Sequence, residues 1–472
     1  MNKKRLKLKE HREIIKKRIS SAIELSKKIN NQTILSHTFE IDMVDILPIL
    51  THPADRHSIR IYLEKPSEGF SMAGMGSIIS IDFKGNIVNF NKKVADIKNR
   101  IVYEKDKKYP PPSFLGGYAF SPELEADITW KNFPRGRFIL PECLATQNSN
   151  GTWLTISTIV NKSDSLSKVL NRFLKLCITY ENRMPVTLPP ISSLPVDKFK
   201  DVPNKQTYFK TINQILERLK PGNVEKVVLS RSHHVKIAQN FSVVSGIQIL
   251  RSAYPKCMSF FFSFPKEGIF FGSTPERLVR LKNKSIETVA LAGTISRGKN
   301  MEEDRLLAEK LRKSNKEREE HRFVLEQIVR NLEPLTEDLN FNEYPGVLKL
   351  KNVQHLKTTI FGKLKQDQHI LNIVKNLHPT PAVAGSPTSD ALRIIQKLEA
   401  HDRGWYCGPL GWTDINGDGE FFVGLRSALV SEHKAHVFAG GGIVAESVAE
   451  HEWDETELKI QPIITALSGG QI

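Results

Sequence analysis

The stretch Glu225-Lys226-Val227-Val228-Leu229-Ser230-Arg231 decides how the chain is read. Its β-branched and apolar centre predicts a strand. Ser259-Phe260-Phe261-Phe262-Ser263-Phe264 predicts another. A third, Ala435-His436-Val437-Phe438-Ala439, enters the glycine run Gly440-Gly441-Gly442. Helix signals are scattered among these strands. Lys205 to Leu219 reads as a helix stopped by Pro221-Gly222. Ser314 and Glu317 form an S-x-x-E capping box, so a long helix is predicted from about Asn315 to Leu332. A last helix carries Glu452, Glu455 and Lys459. Strands and helices mix without regular βαβ alternation, which predicts an α+β, sheet-rich fold rather than a doubly wound one.

Upstream, residues 1 to about 35 read as helical. From Thr38 to about Asn182 short apolar runs alternate with turns, and Gly76–Ile81 and Thr152–Thr158 read as strands. Pro185, Pro189, Pro190 and Pro195 then predict an extended linker. The expected organisation is an N-terminal lobe over 1–184, a proline-rich linker over 185–198 and a catalytic domain over 199–466.

Composition narrows the class. The 472 residues are 40% hydrophobic and 25% charged, ordinary for a globular protein. No apolar run approaches the roughly 20 residues that span a bilayer. The basic start, Met1 to Arg18, has no apolar core or cleavage site of a secretory signal. Cys143, Cys177, Cys257 and Cys407 are scattered, which predicts reduced packing residues in a cytoplasmic protein and no zinc site. The formal net charge of +16 fits either an anionic surface partner or a small polyanionic substrate. Its densest patch, Lys3-Lys4-Arg5-Leu6-Lys7-Leu8-Lys9, reads as a solvated basic helix face. No finger spacing, Gly-rich RNA motif or aromatic–basic interleaving points to nucleic acid.

Several residues are candidates for chemistry, each with a bland alternative. Lys226 either faces solvent or is buried, and burial lowers a lysine's pKa toward that of a general base. Glu276, in Gly272-Ser-Thr-Pro-Glu276, is either a helix-terminal charge or a protonated acid in a closed cleft. Glu320 lies on the long capped helix. Glu452, Glu455 and Lys459 share one helix face by their spacing. Such groups form surface salt bridges, or carboxylates from two helices hold a hard cation such as Mg²⁺. Gly293-Thr294 and Gly440-Gly441-Gly442 form tight turns or let backbone approach an anion. Arg426 can grip a carboxylate with two parallel hydrogen bonds. Asp414-Ile-Asn416-Gly-Asp418-Gly419 opens like a calcium loop, but the closing glutamate position is Leu425, so it reads as a polar turn between strands.

In order along the chain, Lys226-Val-Val-Leu-Ser-Arg231, Gly272-Ser-Thr-Pro-Glu-Arg-Leu278, Ala290-Leu-Ala-Gly-Thr294, Glu319-Glu320-His321, Val353-Gln-His-Leu356, Leu377-His-Pro-Thr-Pro-Ala-Val383, Gly424-Leu-Arg-Ser427 and Gly441-Gly-Ile-Val444 with Glu452-Trp-Asp-Glu-Thr456 resemble the chorismate-binding enzyme family, over nearly all of 200–465. The first lobe, through Ser113-Phe-Leu-Gly-Gly117, Trp130, Phe133-Pro134 and Leu140-Pro-Glu142, is similar to the menaquinone-type isochorismate synthases of that family. The resemblance implies two large antiparallel sheets packed together, helices outside, and an active site in a deep cleft. It implies Mg²⁺ on Glu320 and Glu455 with Glu452 close by, holding the ring carboxylate of chorismate. Gly293, Thr294, Arg426, Gly440, Gly441, Gly442 and Lys459 would hold the ring carboxylate and enolpyruvyl group, and His355 would line the pocket. Lys226 as base and Glu276 as acid would add water at C2 and expel the C4 hydroxyl, giving isochorismate.

Within the family, users of ammonia lack a lysine at the Lys226 position, and aminodeoxychorismate synthases place a lysine where Ala292 stands. Neither fits, and no amidotransferase subunit is expected. Salicylate synthases share Lys226 and Glu276 but tend to carry a threonine near Ala382. The alanine favours a reaction that stops at isochorismate, for menaquinone or siderophore synthesis. Expected partners are chorismate alone, without nucleic acid or membrane, in a monomer or weak homodimer. The alternative of another class is a non-catalytic basic protein binding nucleic acid or a membrane surface through residues 1–18.

Overall fold

The computed structural model describes residues 6–42, 45–52, 58–85, 88–183, 187–188, 190–351 and 353–470. Two large sheets form its centre. The larger, of 13 strands, runs from Val196–Val202 through Lys226–Ile237, Lys434–Ile443, Ser427–Ser431, Gly268–Thr274 and Met258–Phe264. It continues without a break into Arg60–Lys65, Phe70–Met75, Cys143–Asn148, Gly151–Val160 and Thr33–Glu40. The smaller, of 10 strands, likewise joins Val353–Leu364, Ser285–Ser296, Arg277–Lys282, Gly419–Val423 and Pro409–Asp414 to Ser113–Tyr118 and Gly136–Leu140. Neighbours pair antiparallel, apart from Thr33–Glu40 with the short Ile101–Val102. This is the α+β arrangement of two packed sheets with helices outside.

The strand Met258–Phe264 shows why the layers stack. Successive side chains of a strand point to opposite faces. Met258, Phe260, Phe262 and Phe264 enter the core between the sheets, beside Phe114, Phe138 and Phe421 of the smaller one. Phe261 points the other way, into a second core under helices, beside Ile15, Ile19, Phe173, Ile247 and Ile460. A strand buried on both faces reads as a near-continuous apolar run, and this one is interrupted only by the small Ser259 and Ser263. Phe260 is fully buried. Phe260→Ala is expected to cost about 3–5 kcal/mol of stability, read from the denaturation midpoint. A loss below about 1 kcal/mol would contradict the packing described.

Both sheets take strands from either side of the proline-rich stretch. The division at 185–198 is therefore one of chain order, not of two separate sheets. Val196–Val202, starting inside the expected linker, is already a strand paired with Lys226–Ile237. Beyond Pro195 every residue to Val202 has an N–H for the ladder. The first lobe also locks onto the second through aromatic side chains. Trp130 stacks on Phe438, and Trp405 donates to the Pro134 carbonyl at 2.7 Å.

The N-terminal helix is shorter than predicted. It spans Leu8–Ile29, ends where Asn30 turns left-handed (φ 51°), and gives way to the strand Thr33–Glu40. Its apolar side is buried through Ile15, Ile19 and Ala22. Lys3, Lys4 and Arg5 of the basic patch, and Pro185 and Pro189 of the linker, lie outside the described residues. The calcium-loop look-alike is the predicted turn. Asp414 ends one strand and accepts from the backbone N–H of Asn416 and Asp418. No helix among the described residues is long and apolar enough to cross a membrane.

Candidate active site

Lys226 opens the strand Lys226–Ile237 and is buried, with 3% of its surface exposed. Its side chain lies across the neighbouring strand Lys434–Ile443, in which Val228 pairs with Gly442. A Cβ on Gly442 would come within 2.4 Å of Lys226 Cε. The glycine run is therefore part of a strand rather than a turn, and Gly442 leaves the space the lysine occupies. Lys226 Nζ donates to Glu320 Oε1 at 2.5 Å.

Glu320 reaches that point from the helix Asn315–Leu332. Ser314 caps this helix by accepting from the Glu317 N–H, as predicted. The second acidic helix is Ala449–Leu467. Arg231, five residues after Lys226, fixes it to the lysine's strand. The buried guanidinium donates to Thr456 Oγ1 at 2.7 Å and Glu457 Oε1 at 2.5 Å, and stacks 3.8 Å from the Trp453 ring. Glu455 is then set against Lys459 at 2.6 Å, and Lys459 donates to the Gly440 carbonyl at 2.8 Å. Glu452 accepts from Ser447 Oγ through Oε1.

All the expected site residues except Gly441 line one cavity, which encloses about 1010 Å³ of empty space, part of it open to solvent. Gly441 sits behind the wall, where a Cβ would meet Glu452 Oε2 at 2.9 Å. Glu276 lies in the turn between Gly268–Thr274 and Arg277–Lys282 and is buried. Burial pushes its carboxyl up to about 7, against the pull of a Thr380 hydroxyl 3.3 Å away and the Lys226 charge. Arg426 takes a left-handed backbone (φ 48°) beside the cavity. Its side chain makes no hydrogen bond or ion pair among the described residues, and burial lowers its guanidinium pKa. A half-buried guanidinium left unpaired in this way seeks a carboxylate. His355 is held neutral, its pKa lowered to about 3 by burial and by Arg426 and Lys459.

The acidic side fits a cation. Glu452 Oε2 is buried without a hydrogen-bond partner among the described residues. Burial, then Glu455, raises the Glu452 carboxyl. Burial also raises Glu455, but Lys459 outweighs it and the net shift is down. Glu320, Glu452 and Glu455 do not bring three oxygens within 4.8 Å of one another, since Glu320 is turned to Lys226 and Glu455 to Lys459. Asp201, His233 and Glu457 do come that close, yet Arg231 bonds both carboxylates there. Sequence reasoning passed over Glu317, read only as a helix cap, and Lys316. Both line the cavity. The signal was present: Glu317 and Glu320 repeat the three-residue spacing of Glu452 and Glu455, which puts each pair on one helix face.

The family described as chorismate binding enzyme matches residues 17–468. The chain belongs to the chorismate-binding enzymes. Among its relatives in this family, isochorismate synthase MenF of Bacillus subtilis is 28% identical over 467 residues, covering 96% of this chain and 98% of that protein. The salicylate biosynthesis isochorismate synthase of Pseudomonas aeruginosa is 29% identical over 451 residues, 95% of this chain and 93% of that one. The structure of MenF, the menaquinone-specific isochorismate synthase from Escherichia coli, matches 95% of this chain and 100% of that one, with a TM-score of 0.77 at 24% identity. The fold is thus the one chorismate-binding enzymes share.

Proposed function

We propose that this chorismate-binding enzyme is an isochorismate synthase, an isomerase that adds water at C2 of chorismate and expels the C4 hydroxyl. One observation carries the reading: a buried lysine and a buried carboxyl near pKa 7 line the same cavity as the acidic faces of two helices. Lys226, in its uncharged form, takes a proton from the attacking water. Glu276, in its protonated form, gives one to the departing hydroxyl. The water added at C2 and the water lost from C4 balance, and the ring double bonds shift between them. Arg426 and Lys459, with the backbone of Gly293, Thr294 and Gly440–Gly442, hold the two carboxylates. Ala292 and Ala382 line the same cavity, so neither position offers an amine or a hydroxyl to the substrate. The names of the relatives support this product.

Glu320 and Glu455, with Glu452 close by, would hold Mg²⁺, which supplies a Lewis-acid grip on the ring carboxylate. The contact between Lys226 and Glu320 is the one that must open for both residues to do this work. The pathway we favour is menaquinone synthesis, in the cytoplasm, by a monomer or weak homodimer without an amidotransferase. Turnover is expected to vanish on treatment with chelator and to return with Mg²⁺. Isochorismate formation that continues in chelator would remove the metal from this account.

A further inference from the structure

We infer that Glu317 is a positioning residue: it holds the Gly293–Thr294 backbone and, through Thr294, sets the ring of His355 in the substrate cavity. The chain of contacts is continuous. Glu317 Oε2 accepts from the backbone N–H of Thr294 at 2.8 Å. The Thr294 hydroxyl is 3.0 Å from His355 Nδ1. The other ring nitrogen, Nε2, is buried without a partner among the described residues, and His355 lines the cavity. A neutral imidazole has one N–H and one lone pair. With Nδ1 engaged by Thr294 and by the Gly293 backbone that Glu317 also braces, Nε2 is the atom left for a ligand.

The backbone explains why a carboxylate is needed at 317. The strand Ser285–Ser296 pairs with Val353–Leu364, but its register slips between Ala292 and Thr294. Gly293 is left-handed there (φ 73°), and a Cβ on it would press on Glu317 at 3.0–3.3 Å. The Thr294 N–H points to the helix and bonds Glu317 rather than a strand partner. Leaving such an N–H unpaired is unfavourable, and Glu317 supplies its acceptor. The same slip places Thr294 opposite His355 in the pairing. Helix, kinked strand and histidine are thereby coupled by two hydrogen bonds. Glu317 lies one helical turn before Glu320, so a competing role is to add negative charge for a cation. The two roles make different demands. Positioning needs an acceptor oxygen, which glutamine retains; a cation needs the charge, which glutamine lacks.

This inference rests on the cavity being the chorismate site, and the unmodified enzyme tests that part: without isochorismate from it, the functional reading fails before Glu317 is reached. Given an active enzyme, Glu317→Ala, Glu317→Gln and Thr294→Val are compared for kcat, KM for chorismate, Mg²⁺ requirement and Tm. Glu317→Ala is expected to raise KM about tenfold, the effect of losing a hydrogen bond to a charged acceptor, with kcat changed less than about threefold. Glu317→Gln should stay within about threefold of the parent in KM and in the Mg²⁺ concentration needed. Thr294→Val, which loses only the hydroxyl, should raise KM about fivefold and remains informative if the alanine variant does not fold. Glu317→Gln as impaired as Glu317→Ala, with a raised Mg²⁺ requirement, would overturn the inference in favour of a charge role. Parent-like KM in Glu317→Ala, or in Thr294→Val, would overturn it as well.

Discussion

Lys226→Gln is expected to lower kcat for isochorismate formation by about 10²–10⁴-fold, the usual contribution of a general base. Glutamine nearly matches the lysine in length and can donate to Glu320, but it has no lone pair basic enough to deprotonate water. The loss should fall on kcat and on kcat/KM alike, since the interaction removed is made in the transition state. Lys226 is buried and Glu320 partly so. Removing one partner of a fully buried pair costs about 3–5 kcal/mol. The Glu320 side chain retains 21% exposure, so water screens part of that effect. A folded Lys226→Gln with parent-like kcat would take the base role away from this residue.

Glu276→Gln should have an effect of the same order, about 10²–10⁴-fold in kcat. It also carries a pH signature. The carboxyl is pushed up to about 7, chiefly by burial. Its acid form is abundant below that pH and is lost as pH rises through it. The kcat/KM profile of the parent should therefore fall on the alkaline side with a midpoint near 7, and that limb should be missing in the glutamine variant. Stability gives a second readout with its own sign. A folded-state pKa raised from 4.5 means the native protein binds more protons than the unfolded chain between 4.5 and about 7. The stabilising contribution is fully present below 4.5 and is lost as pH rises through about 7. Glu276→Gln, which cannot ionise, should escape that loss and be relatively more stable at pH 8. An unchanged alkaline limb in the variant would assign the titration to another group.

The sequence made much of this architecture legible where periodicity is strong. The run Ser259–Phe264 read as a strand, and the structure adds that it is buried on both faces; the Ser314 box marked the start of its helix to the residue. Boundaries that depend on tertiary context were harder. Nothing local separates Leu8–Ile29 from the strand after it except Asn30, whose left-handed turn is not obvious in sequence. The continuity of the sheets was hidden because strand partners such as Ser259 and Glu64 are almost two hundred residues apart. At the site, residue types were readable and partners were not. No spacing rule connects Lys226 to Glu320, or Arg231 to Glu457, since sheet and helix bring them together only in the folded chain. Glu317 was legible only as the second half of a capping box, a local role its side chain does not take, since the Ser314 N–H bonds the Lys310 carbonyl. Its contact with Thr294 is not local, and it depends on a kink that Gly293 alone announces.

The most direct test of the account is chromatography of the products formed when the purified protein is supplied with chorismate and Mg²⁺. The account predicts isochorismate, without stoichiometric pyruvate. Salicylate with pyruvate would contradict the proposed product while leaving the cavity in use, and folded protein that leaves chorismate untouched would contradict the function itself.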